Sequence, residues 1–357
     1  ITGDAVTGGY LFSIDKEADG WYSAYPTPNS TANQQIRFSY IYPKITAIVP
    51  EQQSYLRGYI DSFEMALAAS TNPSKPNTWR NFADETSFID FFIVNEISRN
   101  VDGYRLSSYF YKDRNSKNGK MIAGPVWDYD LAFRNANYCN GSDTAGWAYN
   151  FNRVCPQDFW QIPFWWNNFM QDKTFQSNLR CRWKQLRTTS LSLARINTLI
   201  DSVYTLTGEA RQRHFQKWPT LGQYVWPNPQ PIAGTYNTEI NYLEVWIEAR
   251  LNWIDRNLPN EGVCYDYPAG LKESVLISGN PNPVTAGYTL TIKSRLQQKI
   301  AVRAVDVAGR TVYSNSFAAN AGYNQLKVDM SQWQKGLYIF HFNTASGEKA
   351  AQKIMKL

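Results

Sequence analysis

Three aspartates, Asp102, Asp128 and Asp130, have the type and spacing that could do chemistry. Asp102 falls in the stretch Asn100-Val101-Asp102-Gly103-Tyr104-Arg105-Leu106-Ser107, and the other two in Val126-Trp127-Asp128-Tyr129-Asp130. Two carboxylates brought to one end of a hairpin supply the hard oxygen ligands that magnesium takes, with coordination left over for phosphates. The same two groups at a fixed separation could also act as acid and nucleophile on a glycosidic bond. A purely structural reading stands beside both. Asp102-Gly103 suits an Asx turn, Asp-x-Asp after a strand suits a cap, and Trp127 suits a core. Arg99, Arg105 and Arg134 are placed to neutralise these carboxylates in ion pairs.

The elements that must position these residues follow from periodicity. Apolar spacing predicts helices over 51–69 and 85–99, the second capped by Asp84 or Thr86. Strands are predicted over 108–112 and 121–127, joined by a polar turn that holds Asn118-Gly119, a hairpin signal. Helix, loop Asp, hairpin and strand-end Asp is the order found in protein-kinase C-lobes, where the first Asp receives the hydroxyl proton and the second holds magnesium. Around this frame the chain reads as a strand at Gly9–Asp15, a long aromatic loop, and helices at 160–170, 172–187, 190–205 and 235–258. The last carries Ile240, Leu243, Ile247, Leu251 and Ile254 on one face.

After Pro268 the pattern changes to period two. Short alternating segments separated by Gly- and Asn-rich turns read as a β-sandwich. The expectation is an α+β fold in two domains, residues 1–268 and 269–357. Composition narrows the rest. The 357 residues include 13 Trp, 23 Tyr and 18 Phe but only 2 His, which argues against an imidazole-built metal centre. The net charge of +6 is concentrated after Gly270, where eleven Lys/Arg face four Asp/Glu scattered along strand-like segments. Nucleic-acid binding would instead gather them around a reading element. No apolar run is long enough for a transmembrane helix. The chain opens at Ile1, which reads as a processed or truncated start. None of the four cysteines, Cys139, Cys155, Cys181 and Cys264, forms a CxxC pair. Cys139–Cys155 closing a polar loop, with Cys181–Cys264 remaining, points to an oxidising compartment, against four buried free thiols.

At these residues a resemblance adds to the reading. NEISRNVDGYRLSSYFYKD followed by GKMIAGPVWDYDLAF, with the opening TGDAVTGGYLFSIDK, resembles the CotH family of atypical kinases over roughly residues 1–265. The resemblance implies a kinase-like C-lobe, ATP with magnesium or manganese, and phosphorylation of protein Ser/Thr. It places Asp102 at the catalytic-base position, Asp128 at the metal position and Asp130 as a second ligand. Ser107 stands where kinases place the Asn that holds a second metal. The family's N-lobe, with its Lys–Glu pair, is expected before residue 1, so this chain alone is expected to be half a nucleotide cleft with negligible activity. The alternative is a non-catalytic secreted or cell-surface protein of kinase-like fold that recognises glycan or protein.

SGNPNPVTAGYTLTIKS and GLYIFHFNTASGEKAAQKIMKL resemble the sorting domain of type IX secretion cargo, through Asn280–Pro283, Gly336–Tyr338 and Lys349–Lys356. That resemblance implies the secretion machinery as a partner of residues 269–357, and export to the cell surface or beyond, usually with proteolytic removal of the domain. An ordinary carbohydrate-binding or immunoglobulin-like sandwich is the alternative. Three further features stay open. His214 reads as a surface or packing residue, Trp160–Phe169 as core or as a sugar platform built on Trp165 or Trp166, and Asn140, Asp143 and Asp158 as oxygen donors for calcium.

Overall fold

The computed structural model describes residues 2–16, 19–72, 74–259, 276–294, 298–320, 322–344 and 349–357. It divides into two compact units, Ile1–Tyr267 and Pro268–Leu357.

The first unit is built on a five-stranded antiparallel sheet of order β2-β3-β1-β4-β5. Its strands are β1 (Tyr10–Ile14), β2 (Gly20–Pro26), β3 (Gln35–Tyr42), β4 (Ser108–Lys112) and β5 (Met121–Ala123). The stretch expected as an aromatic loop is therefore two strands. Its alternation of Trp21 and Ser23 inward with Tyr22 and Ala24 outward is the signal that Pro26 and Pro28 obscured. The pairing of β1 with β4, Phe12 opposite Phe110, ties the opening strands directly to the hairpin that carries the acidic motif.

The helices are α1 (Asp4–Thr7), α2 (Pro50–Ala69), α3 (Glu85–Ser98), α4 (Phe151–Val154), α5 (Trp165–Phe169), α6 (Lys173–Arg187), α7 (Leu193–Leu206), α8 (Gly208–Lys217) and α9 (Tyr236–Asn257). Helix α3 opens where Asp84 accepts a bond from the Ser87 amide and closes on Arg99 in the left-handed conformation. It is apolar nearly all round, and Phe88, Phe91 and Phe92 are buried among Phe110, Trp165 and Trp166. Trp165 and Trp166 are wholly buried, so the cluster is core and not a stacking platform. The helix expected from Trp160 starts only at Trp165, after Pro163, which lacks the N–H a continuing helix would use.

The second unit is a sandwich of a three-stranded and a four-stranded antiparallel sheet. The smaller sheet has the order β10-β7-β6, from β6 (Leu276–Asn280), β7 (Gly287–Ser294) and β10 (Gly322–Asp329). The larger has the order β12-β11-β8-β9, from β8 (Gln298–Asp306), β9 (Thr311–Ala319), β11 (Gly336–Thr344) and β12 (Lys349–Lys356). Inward residues of both sheets meet in one core, as in the contact between the Tyr288 and Phe340 rings at 5.9 Å. Among the described residues no helix is long and apolar enough to cross a membrane.

Candidate functional site

The two acidic segments are brought together by the end of α3 and the end of the β4–β5 hairpin. After Arg99 the chain turns sharply, and Asn100 Oδ1 accepts the Asp102 amide at 3.1 Å, so the expected Asx turn begins at Asn100, two residues earlier. Gly103 is required by a close approach, because a Cβ there would collide with Asn95 Oδ1. That amide oxygen also accepts the Tyr129 hydroxyl at 3.1 Å, which joins α3 to the WDYD segment. Left-handed residues crowd the site: Arg99, Tyr104, Ser107 and Asp128 all have positive φ. Such strain persists only where surrounding structure over-determines it.

Strand β5 stops at Ala123, four residues short of the expected end, because Gly124 and Pro125 interrupt the ladder. Val126, Trp127 and Asp128 consequently lie in exposed chain outside any strand, and Trp127 is 63% exposed instead of core.

Arg105 organises the loop. Its guanidinium is 3% exposed and lies 4.0 Å above the Phe151 ring. It donates to Val101 O at 2.7 Å, to Asp158 Oδ1 and Trp160 O at 3.1 Å each, and to Asp102 Oδ1 at 2.7 Å. One carboxylate oxygen of Asp102 is thus pinned, and the other accepts no hydrogen bond from a described residue. Burial pushes the Asp102 carboxyl up, Arg105 and Lys16 pull it down, and Asp130 and Asp128 push it further up; the net direction is upward. All three aspartates therefore act on one electrostatic neighbourhood. The only hydrogen bond to the Asp128 carboxylate among the described residues comes from Ser107 Oγ at 3.5 Å, and the Asp130 carboxylate accepts none.

Of the three arginines flagged from sequence, only Arg105 pairs with a site carboxylate. Arg99 donates to the Asn140 and Gly146 carbonyls, and Arg134 to Pro229 and Pro231 carbonyls and toward Glu239. Asp158 is engaged by Arg105, which removes it from the oxygens left open as calcium donors. Among the described residues no three His, Cys, Asp or Glu groups are placed to hold a metal ion. A divalent ion at Asp128 and Asp130 would therefore take the rest of its coordination from water and phosphates, which is how magnesium is usually held. The residues present fit that use.

Two neighbours escaped the sequence reading. Lys16, in the turn after β1, and Tyr138, raised to about 12 by burial and by Asp102, both border Asp102. Tyr138 precedes Cys139, which is disulfide-bonded to Cys155. Cys181, buried on α6, is also disulfide-bonded; Cys264, its expected partner, lies outside the described residues. Beneath the site, Glu96 on α3 accepts the Ala148 and Tyr149 amides and pairs with the wholly buried Arg250 of α9 at 3.0 Å. That network seats the Cys139–Tyr149 segment against the helix end.

A two-segment acidic loop on a helix-and-hairpin frame, followed by a β-sandwich, defines the class of chain. The family model described as CotH kinase protein matches residues 7–254, and the chain belongs to that family. The model described as secretion system C-terminal sorting domain matches residues 280–356, so the chain is cargo of that machinery, exported to the cell surface or beyond. Among solved structures, a DUF3244 family protein with an immunoglobulin-like β-sandwich from Bacteroides vulgatus is similar at 19% identity. The match covers 23% of this chain and 96% of that one, with a TM-score of 0.18. Comparison with curated proteins returns no match.

Proposed function

We propose that this chain carries the phosphoryl-transfer loop of an exported phosphotransferase, which moves the terminal phosphoryl group of ATP to a protein Ser or Thr hydroxyl. The observation that carries this reading is the meeting of a half-buried Asp102, tied through one oxygen to Arg105, with the two unpaired carboxylates of Asp128 and Asp130. Asp102 offers its second oxygen to the acceptor hydroxyl. The acceptor oxygen bonds to the terminal phosphorus, the bridging P–O bond breaks toward ADP, and the hydroxyl proton passes to Asp102. An upward-shifted carboxyl suits a proton acceptor better than an ordinary one. Asp128 and Asp130 present hard oxygens that would hold magnesium or manganese, which when bound supplies charge neutralisation at the phosphates. Ser107 supports Asp128 in place of the amide that kinases use for a second metal, which favours one tightly held ion over two.

The test is calorimetry of ATP with magnesium or manganese on the full chain, including any segment upstream of residue 1, beside Asp128→Ala. Expected is binding near micromolar that the substitution removes. Failure of the intact protein to bind nucleotide with either metal would sink this reading.

A further inference from the structure

We propose that the cleft between α8 and α9 is a binding site for a neutral oligosaccharide. Its volume is about 470 Å³, within the range of small-ligand sites. Phe215, Trp218 and Tyr236 supply aromatic walls, and the Trp218 indole is 56% exposed. Between those walls stand Thr220, Gln223 and Asn228. The side-chain polar atoms of these three, and the Tyr236 hydroxyl, make no hydrogen bond to any described residue. Flat apolar faces interleaved with unengaged hydroxyl and amide groups match a sugar ring, which is apolar on its faces and hydroxylated at its edge.

Charge selects among ligands. The lining contains no lysine or arginine, and its one carboxylate, Glu239, faces Arg134 at 3.7 Å. The lining itself offers an acidic ligand no lysine or arginine, Glu239 is already matched by Arg134, and Arg211 lies over the Tyr236 ring at 4.6 Å. A purely apolar ligand would strip water from four polar side chains without replacing it.

The cleft is preformed. The 218–234 segment that forms its outer wall is closed on itself by the Gly222 amide to Ala233 O at 2.9 Å. It is fastened to the acidic-site loop by the Asn137 amide to Pro227 O at 3.0 Å, by Asn137 Nδ2 to the Tyr224 hydroxyl at 2.9 Å, and by the Arg134 bonds to Pro229 and Pro231. The same segment carries Tyr224 and Trp226, 54% and 64% exposed, and Trp226 stacks on Tyr138 at 6.1 Å. An aromatic strip thus runs from the cleft toward the Asp102 loop, and a chain of several sugar rings would find successive stacking faces along it. This site stands whether or not the chain transfers phosphate.

The experiment titrates the full chain with neutral trisaccharides of glucose, mannose, galactose and N-acetylglucosamine, read by calorimetry and tryptophan fluorescence. Expected is a dissociation constant at or below about 1 mM for at least one of them. Trp218→Ala and Asn228→Ala should each weaken it about tenfold. Phe159→Ala, an exposed aromatic elsewhere, should leave it unchanged. All the substituted positions are at least partly exposed, so folding is checked simply by circular dichroism. No binding of any trisaccharide at about ten times that concentration overturns the assignment. So does binding that survives both cleft variants, or capture by the cleft of a basic or proline-rich peptide in preference to every sugar.

Discussion

Replacing Arg250 by Met tests whether the pair beneath the site holds the first unit together. Arg250 is wholly buried and every nitrogen of its guanidinium is engaged. It donates to Glu96 O at 2.7 Å, Glu96 Oε2 at 3.0 Å, Thr144 O at 3.0 Å and Gly146 O at 2.6 Å. Methionine fills much of the volume but leaves Glu96 a buried carboxylate without its cation and the Thr144 carbonyl without a donor, while Gly146 O keeps Arg99. Breaking a buried pair from one side costs about 3–5 kcal/mol, against a total stability of about 5–15 kcal/mol for a domain. The melting temperature should fall by on the order of 10 °C. Urea unfolding followed by tryptophan fluorescence isolates this unit, because Trp333 is the only indole in the other. The companion Glu96→Gln with Arg250→Met should lose about 1–3 kcal/mol less than the two single costs together, since no charge is then left alone. A cost for Arg250→Met below about 1 kcal/mol, with unchanged urea dependence, would refute the reasoning.

Three further outcomes follow from the same geometry. Glu64 on α2 is buried, accepts bonds from Ser23 Oγ and Trp165 Nε1, and is raised from 4.5 to about 7 by burial. Because the folded state holds that proton more tightly, the stabilisation is present below about pH 4.5 and is lost as pH rises through 7, up to about 1.4 kcal/mol per unit; Glu64→Gln should flatten this part of the urea-midpoint-versus-pH curve. Reducing the Cys139–Cys155 bridge, or replacing both residues by Ser, should cost about 3 kcal/mol for a sequence separation of 16, measured as a shifted urea midpoint. Gly103→Ala should destabilise by about 1–3 kcal/mol through its collision with Asn95. Gly58→Ala, mid-helix with open space around it, should instead stabilise by about 0.5–1 kcal/mol, and the opposite signs are the check.

Much of the frame was legible because local patterns carry it. The period of α3, its Asp84 cap and the strand at 108–112 lie in contiguous sequence, as do the alternating strands of the sandwich. The motifs around Asp102 and Asp128 also sufficed to signal the family. What misled the reading was also local: Pro26 and Pro28 masked strand alternation in β2, and the apolar run through Val126-Trp127 suggested a longer β5. Neither propensity nor periodicity reports which backbone partner a strand will find, and β2 and β3 are strands because they pair with each other and β3 pairs in turn with β1.

The sequence by itself determined which acidic residues stand at a helix end and beyond a hairpin, and that the last strands carry a sorting signal. Only the tertiary structure decided that Arg105 ties Asp102 to Asp158, that Lys16 and Tyr138 border the same carboxyl, and that α8 and α9 frame a cleft of unengaged polar groups. Those relations join residues far apart in the chain. They are fixed by side-chain packing and by hydrogen-bond partners that have no spacing in sequence, so no local pattern can announce them.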